Sequence, residues 1–168
     1  MRLVVIATTP TSFTFKIRKP SWSAATAVIK VNNNPVKTET DAAGYLTATR
    51  VWKNTDVVMV DLEMNLYTEA MPDNPNRIAF KYGPLVLAGL LGKEKPDPVI
   101  GVPVLLTSNR NVNDWMRSTS SLQFQMKNVG KPFDVKLIPF YQTYDQYYSV
   151  YWDYFTPDEF AKLQTDYE

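Results

Sequence analysis

Apolar and polar residues alternate with a period of two through one short segment after another, and clusters of Asn, Asp, Gly and Pro separate the segments about every ten residues. A chain patterned this way builds its core from the inward faces of short strands. Phe13, Phe15 and Ile17 alternate with Thr14, Lys16 and Arg18. Ala27, Ile29 and Val31 repeat the pattern less cleanly over residues 24–32. Asn32-Asn33-Asn34-Pro35 then reads as a turn, because Asn accepts positive φ at low cost, and residues 36–39 as the partner strand of a hairpin. A second turn at 41–44 precedes a strand at 45–51, and a third at 53–56 leads into 57–64, where Val58, Val60 and Leu62 share a face. The apolar run at the N-terminus is shorter than the ~7–15 residues of a signal core, so it reads as a strand and Met1 as the start of a fragment.

The second half carries the same signal with more interruptions. Residues 71–76 form a loop rich in Pro, Asn and Asp. Segments 77–82 and 84–91 are continuously apolar around Gly83-Pro84, the signature of strands covered on both faces. Residues 92–98, with Pro96 and Pro98, read as a linker. Short strands follow near 102–106, 122–126, 135–141 and 147–152, with a helical turn at 112–117. Thr156-Pro157-Asp158-Glu159 starts a short C-terminal helix over about 157–165: Thr caps it, Pro takes the first position and an acid lies three residues after the cap. The expected fold is all-β, an antiparallel β-sandwich in two tandem units, 1–91 and 99–168, the second ending in that helix.

Composition removes several function classes. Apolar residues make up 45% of the 168, enough for a core. With 18 basic and 17 acidic residues and no basic run, the chain has no footprint for nucleic acid. No stretch approaches the ~20 apolar residues of a membrane-spanning helix, so no membrane partner is expected. The absence of Cys and His excludes disulfides, thiolate or imidazole metal sites, and Ser-His-Asp or Cys-His nucleophiles, so no cofactor is expected. Gly83-Pro84 lacks the glycine count and following helix of a phosphate loop.

Two carboxylate pairs, Asp61 with Glu63 and Asp145 with Asp153, have the composition of a glycosidase dyad, although the first reads more simply as a solvated strand face. Asp158 and Glu159 are explained by the helix dipole. Arg50 and Arg77 are able to clamp a carboxylate, and pairing with a neighbouring acid is their commoner role. Nine aromatics crowd the segment from Phe140 to Phe155. Tyr148, Val150 and Trp152 fall on one strand face and read as core, whereas Tyr147, Ser149 and Tyr151 fall on the other and face solvent, a sugar or another domain. Trp22 and Trp52 read as packing anchors, and Trp115, in a polar loop, as the most exposed tryptophan. The candidate ligand or interface residues are therefore Tyr144, Tyr147, Tyr151 and Trp115, and no residue is assigned a catalytic role.

Four segments, in order along nearly the whole chain, carry a resemblance. They are Phe13-Thr14-Phe15-Lys16-Ile17-Arg18-Lys19-Pro20-Ser21-Trp22; Gly44-Tyr45-Leu46 with Arg50-Val51-Trp52 and Asp56; Pro72-Asp73-Asn74-Pro75-Asn76-Arg77-Ile78-Ala79-Phe80-Lys81-Tyr82-Gly83-Pro84-Leu85-Val86-Leu87-Ala88-Gly89; and Pro139-Phe140-Tyr141 with Tyr148-Ser149-Val150-Tyr151-Trp152. Together they resemble the C-terminal region of β-L-arabinofuranosidase-like glycoside hydrolases. Asn33-Asn34 replaces the family's Asn-Gly hairpin, Thr55 its glycine, and Tyr144, Asp145 and Tyr147 its basic and histidine positions. The resemblance implies an active site in an upstream (α/α) barrel, built on a glutamate and a zinc-holding cysteine cluster. None of those residues has a counterpart here. It further implies β units that pack on that barrel and contribute to a homodimer, in a bacterial enzyme of the periplasm or exterior acting on plant-type oligosaccharides. The chain's own localisation stays open. The alternative reading is a carbohydrate-binding module using the exposed aromatics.

Overall fold

A computed structural model describes residues 1–23, 27–97 and 101–166. Ala24, Ala25 and Thr26 of the expected third strand and Pro98 of the expected linker lie outside the described residues. The chain divides into two compact units, Met1–Asn65 and Leu66–Glu168.

The first unit carries β1 (Arg2–Val4), β2 (Thr11–Arg18), β3 (Val28–Val31), β4 (Asn34–Pro35), β5 (Glu39–Thr40), β6 (Tyr45–Trp52) and β7 (Val57–Asp61). Two sheets, β1-β7-β3-β4 and β2-β6-β5, enclose one core. The alternation read from sequence is the alternation of burial. Ile29 and Val31 on β3, Leu46, Ala48 and Trp52 on β6, and Val58 and Val60 on β7 turn inward. The β2–β6 pair is in continuous antiparallel register from Thr11↔Trp52 to Arg18↔Tyr45.

Polar turn chemistry fixes these registers. Asn32 and Asn33, with φ of 51° and 67°, form a two-residue hairpin turn in which both central residues are left-handed. The partner strand accordingly begins at Asn34, earlier than the sequence pattern suggests. Asp56 is buried. One of its carboxylate oxygens accepts from Asn32 Nδ2 at 2.8 Å and the other from the Lys53 backbone N–H at 2.9 Å. The Lys53 N–H above all, helped by the Asn32 amide, holds the Asp56 carboxyl below the usual carboxylate range. Between them Thr55 sits at φ 69°, where a β-branched residue is strained. Thr55→Gly is expected to relieve about 1–2 kcal/mol of that strain, offset by about 0.5–1 kcal/mol of extra unfolded-state entropy. A rise in the urea midpoint at constant slope checks this, and a fall would show that the Thr55 side chain stabilises the turn.

The second unit carries β8 (Leu66–Ala70), β9 (Arg77–Tyr82), β10 (Leu85–Gly92), β11 (Val104–Leu106), α1 (Val112–Trp115), β12 (Met116–Ser120), β13 (Gln123–Met126), β14 (Gly130–Lys131), β15 (Lys136–Pro139), a 3₁₀ turn at Phe140–Gln142, β16 (Tyr147–Ser149), β17 (Tyr151–Phe155) and α2 (Pro157–Asp166). Its sheet runs β12-β13-β15-β10-β9-β17-β11-β14, with β8 on β9 and β16 on β10. Among the described strands every pairing is antiparallel except β11 with β17. Phe80, Leu87, Leu105, Leu137, Trp152 and Tyr154 fill its core. Thr156 and Glu159 form the capping pair expected at the start of α2: the Thr156 N–H donates to Glu159 Oε2 at 2.8 Å and the Glu159 N–H to Thr156 Oγ1 at 3.3 Å.

The observed division corrects the expected one. The Pro-rich segment after residue 91 alone would place 66–91 in the first unit. Instead β9 pairs with β17 and β10 with β15 and β16, so this apolar hairpin forms the centre of the second unit's sheet. The break falls at Asn65, where the expected strand 57–64 has already ended at Asp61.

Candidate functional site

Strand β17 organises the candidate site. Trp152 and Tyr154 turn inward and are fully buried, so Tyr151 and Asp153 turn outward. Asp153 stands opposite Arg77 of β9 in the antiparallel register, and Tyr151 opposite Ala79. The guanidinium grips the carboxylate through two bonds, Arg77 Nε to Asp153 Oδ1 at 2.8 Å and Nη2 to Oδ2 at 3.0 Å. The carboxylate raises the Arg77 pKa further above its ordinary value. Tyr151, 51% exposed, joins this ion pair in lining a groove of about 290 Å³ whose other walls are Met71, Val102, Pro103 and Val104. Farther along the same outward face of β8 and β9, Lys81 is paired to Glu69 at 2.9 Å and lies 5.7 Å from the Tyr67 ring centre.

Tyr144 and Tyr147 lie elsewhere, in a surface formed by the 3₁₀ turn, the loop after it and β16. Phe140, Tyr141, Tyr144, Tyr147 and Tyr148 are all exposed there, Tyr144 by 78%. The Phe140 and Tyr148 rings meet edge to face at 5.5 Å. Tyr148 corrects the expectation that it shares the core with Trp152. The strand is interrupted at Val150, and its halves pair with different partners, β16 with β10 and β17 with β9. Alternation therefore does not carry from Tyr148 to Trp152. A register shift between Leu90 and Gly92, opposite Tyr148 and Tyr147, adds to the break.

Trp115 is the second correction: it is 3% exposed, not a surface tryptophan. The polar loop before it is a set of caps. Asn111 Oδ1 accepts the Asn113 N–H at 3.2 Å, starting α1, and Asn109 Nδ2 donates to Asp114 at 2.7 Å. The indole Nε1 donates to the Asn109 carbonyl at 2.8 Å, and the ring stacks on Tyr154 at 5.7 Å and meets Phe80 edge-on at 6.3 Å. The signal for burial was the Asn-x-Asn spacing, which marks backbone capping rather than a solvated loop.

Asp145 pairs with Lys93 at 3.0 Å and Asp153 with Arg77, so each carboxylate of that candidate dyad is taken up by its own cation. Asp61 stays exposed beside Lys30 and Glu63 along an open depression of the first unit. Arg50 lies 5.3 Å from the Trp52 ring centre, a packing role. Among the described residues no group of three or more acidic side chains converges to hold a metal, and with no Cys or His the chain does not fit a cysteine-held zinc. No described helix is long and apolar enough to cross a membrane.

Comparison with known proteins places this geometry. Residues 1–64 match the family model "Beta-L-arabinofuranosidase, GH127 middle domain". A GH127 β-L-arabinofuranosidase from Geobacillus stearothermophilus T6 superposes over 92% of this chain with a TM-score of 0.62 and 18% identity. A structure described as a glycoside hydrolase matches 91% of the chain with a TM-score of 0.58 and 19% identity. A GH127 β-arabinofuranosidase matches 89% with a TM-score of 0.59 and 20% identity. The chain spans only 28–30% of the length of these three structures. No curated protein matches it in sequence. The first 64 residues thus match the GH127 middle-domain model, and about nine tenths of the chain shares its all-β fold with under a third of a GH127 β-L-arabinofuranosidase structure.

Proposed function

We propose that this chain is a non-catalytic β-sandwich region of a β-L-arabinofuranosidase-like glycoside hydrolase and that it packs against the enzyme's (α/α) barrel. The observation that carries the reading is the coverage: about nine tenths of this chain matches about three tenths of the GH127 structures. The exposed aromatic surface from Phe140 to Tyr148 supports the contact, since rings that leave apolar area in water mark a surface meant to be covered. A homodimer through this face is the second occupant it suits.

Purified chain incubated with p-nitrophenyl β-L-arabinofuranoside is expected to release no nitrophenol. Turnover that survives rigorous purification would overturn the non-catalytic reading. In the same preparation, joint Tyr141→Ser, Tyr144→Ser and Tyr147→Ser substitution is expected to reduce retention on a hydrophobic-interaction column at unchanged circular dichroism. Unchanged retention would remove the aromatic surface as the contact.

A further inference from the structure

We infer that the groove beside Tyr151 and the Arg77–Asp153 pair binds a neutral saccharide ring. The inference stands on the chemistry of the groove. It rests on the proposed glycoside-hydrolase origin only in the choice of the first sugar to test.

An arginine carries five N–H donors, and Arg77 spends two on Asp153. The two hydrogens on Nη1 and one on Nη2 remain for a ligand. Each carboxylate oxygen of Asp153 keeps a second lone-pair site. Donors and acceptors therefore stand side by side on a rigid, strand-borne ion pair, the complement of two adjacent hydroxyls that each donate and accept. The pair is electrically neutral, so Asp153 disfavours an anionic ligand and Arg77 a cationic one, whereas a polyol meets both without a charge penalty. A sugar acid, a natural ligand for a free arginine, is thereby disfavoured.

Tyr151 supplies the other half of sugar recognition. It precedes Asp153 by two residues on the same face, so its ring flanks the polar array, and its exposed face can take the C–H groups of a pyranose or furanose. Met71, Pro103 and Val104 add apolar lining to the groove. A volume of about 290 Å³ suits one ring. Val102 and Val104 also line an adjoining groove of about 410 Å³ that reaches Lys131, Phe160 and Gln164, leaving room for a second.

The test is a titration of the chain with arabinotriose, xylotriose, maltotriose and trigalacturonate, followed by calorimetry and by the NMR resonances of Arg77 Nε–H and the Tyr151 ring. A neutral trisaccharide is expected to shift both resonances saturably and trigalacturonate to leave them unmoved. Tyr151→Ala is expected to weaken binding about tenfold, with circular dichroism unchanged. Binding of a neutral trisaccharide other than arabinotriose at these resonances supports the groove and counts against an arabinoside-specific parent. Silence from every neutral sugar, preferential binding of trigalacturonate, or undiminished binding by the Tyr151→Ala chain would overturn the groove and leave the proposed origin standing. The wild-type Arg77 signal decides the matter if the variant fails to fold.

Discussion

Trp52→Ala is expected to destabilise the first unit by about 3–5 kcal/mol, the range for truncating a large buried aromatic. Trp52 is fully buried at the end of β6. Its ring stacks on Phe13 at 5.5 Å and meets Phe15 edge-on at 4.7 Å, and its Nε1 donates to the Phe13 carbonyl at 2.9 Å. The void cannot close by local collapse, because Phe13 and Phe15 are held on β2 in eight consecutive pairings with β6. In a protein whose whole stability is about 5–15 kcal/mol, such a loss is a large fraction. Trp52→Phe is expected to recover most of it, losing mainly the indole hydrogen bond, at about 0.5–1.5 kcal/mol. Urea denaturation of the two variants separates these terms. Equal losses would show that the hydrogen bond, not the volume, dominates at this site.

The second large effect is expected from the smallest possible addition. Gly89 lies on β10, where a Cβ would meet Trp152 Cζ2, would sit 2.5 Å from Trp152 Cη2 and would come within 2.9 Å of Val135 Cγ1. Trp152 has nowhere to retreat: it is 1% exposed and packs against Phe80. Gly89→Ala is therefore expected to cost about 3 kcal/mol, the upper end for overpacking, read as a lowered urea midpoint and a changed near-ultraviolet tryptophan signal. A compensating Trp152→Phe in the Gly89→Ala background should recover part of the loss. An additive pair would show that the clash is relieved elsewhere.

Strand existence was legible wherever one face is buried and the other wet. Phe15 to Arg18 and Val57 to Val60 read correctly because alternation and burial are the same fact there, whereas Phe13 stays exposed at the strand's outer end. The unit boundary was not legible. The prolines read as a linker include Pro96 in a described loop, but a loop ends a domain only if no pairing crosses it, and β10 pairs with strands that follow it. The candidate site was half legible. Tyr151 and the tendency of Arg77 to find an acid were apparent, but that the acid is Asp153, 76 residues away, is a matter of register. Trp115 misled because a run of Asn and Asp looks the same to composition whether it faces water or caps backbone.

The Arg77–Asp153 grip has a consequence for how the chain finds its fold. Strand side chains repeat every two residues, so a slip of β17 by one position against β9 would exchange Trp152 and Tyr154 with Tyr151, Asp153 and Phe155. Each parity carries two aromatic side chains, Tyr151 and Phe155 on one and Trp152 and Tyr154 on the other, so burial of aromatics alone discriminates weakly between the two alignments. Asp153 resolves the ambiguity. In the slipped alignment its carboxylate would enter the core without a partner, which a buried charge does not tolerate. The ion pair thus acts as a proofreading device for strand assembly, effective even if its net contribution to the finished structure is small.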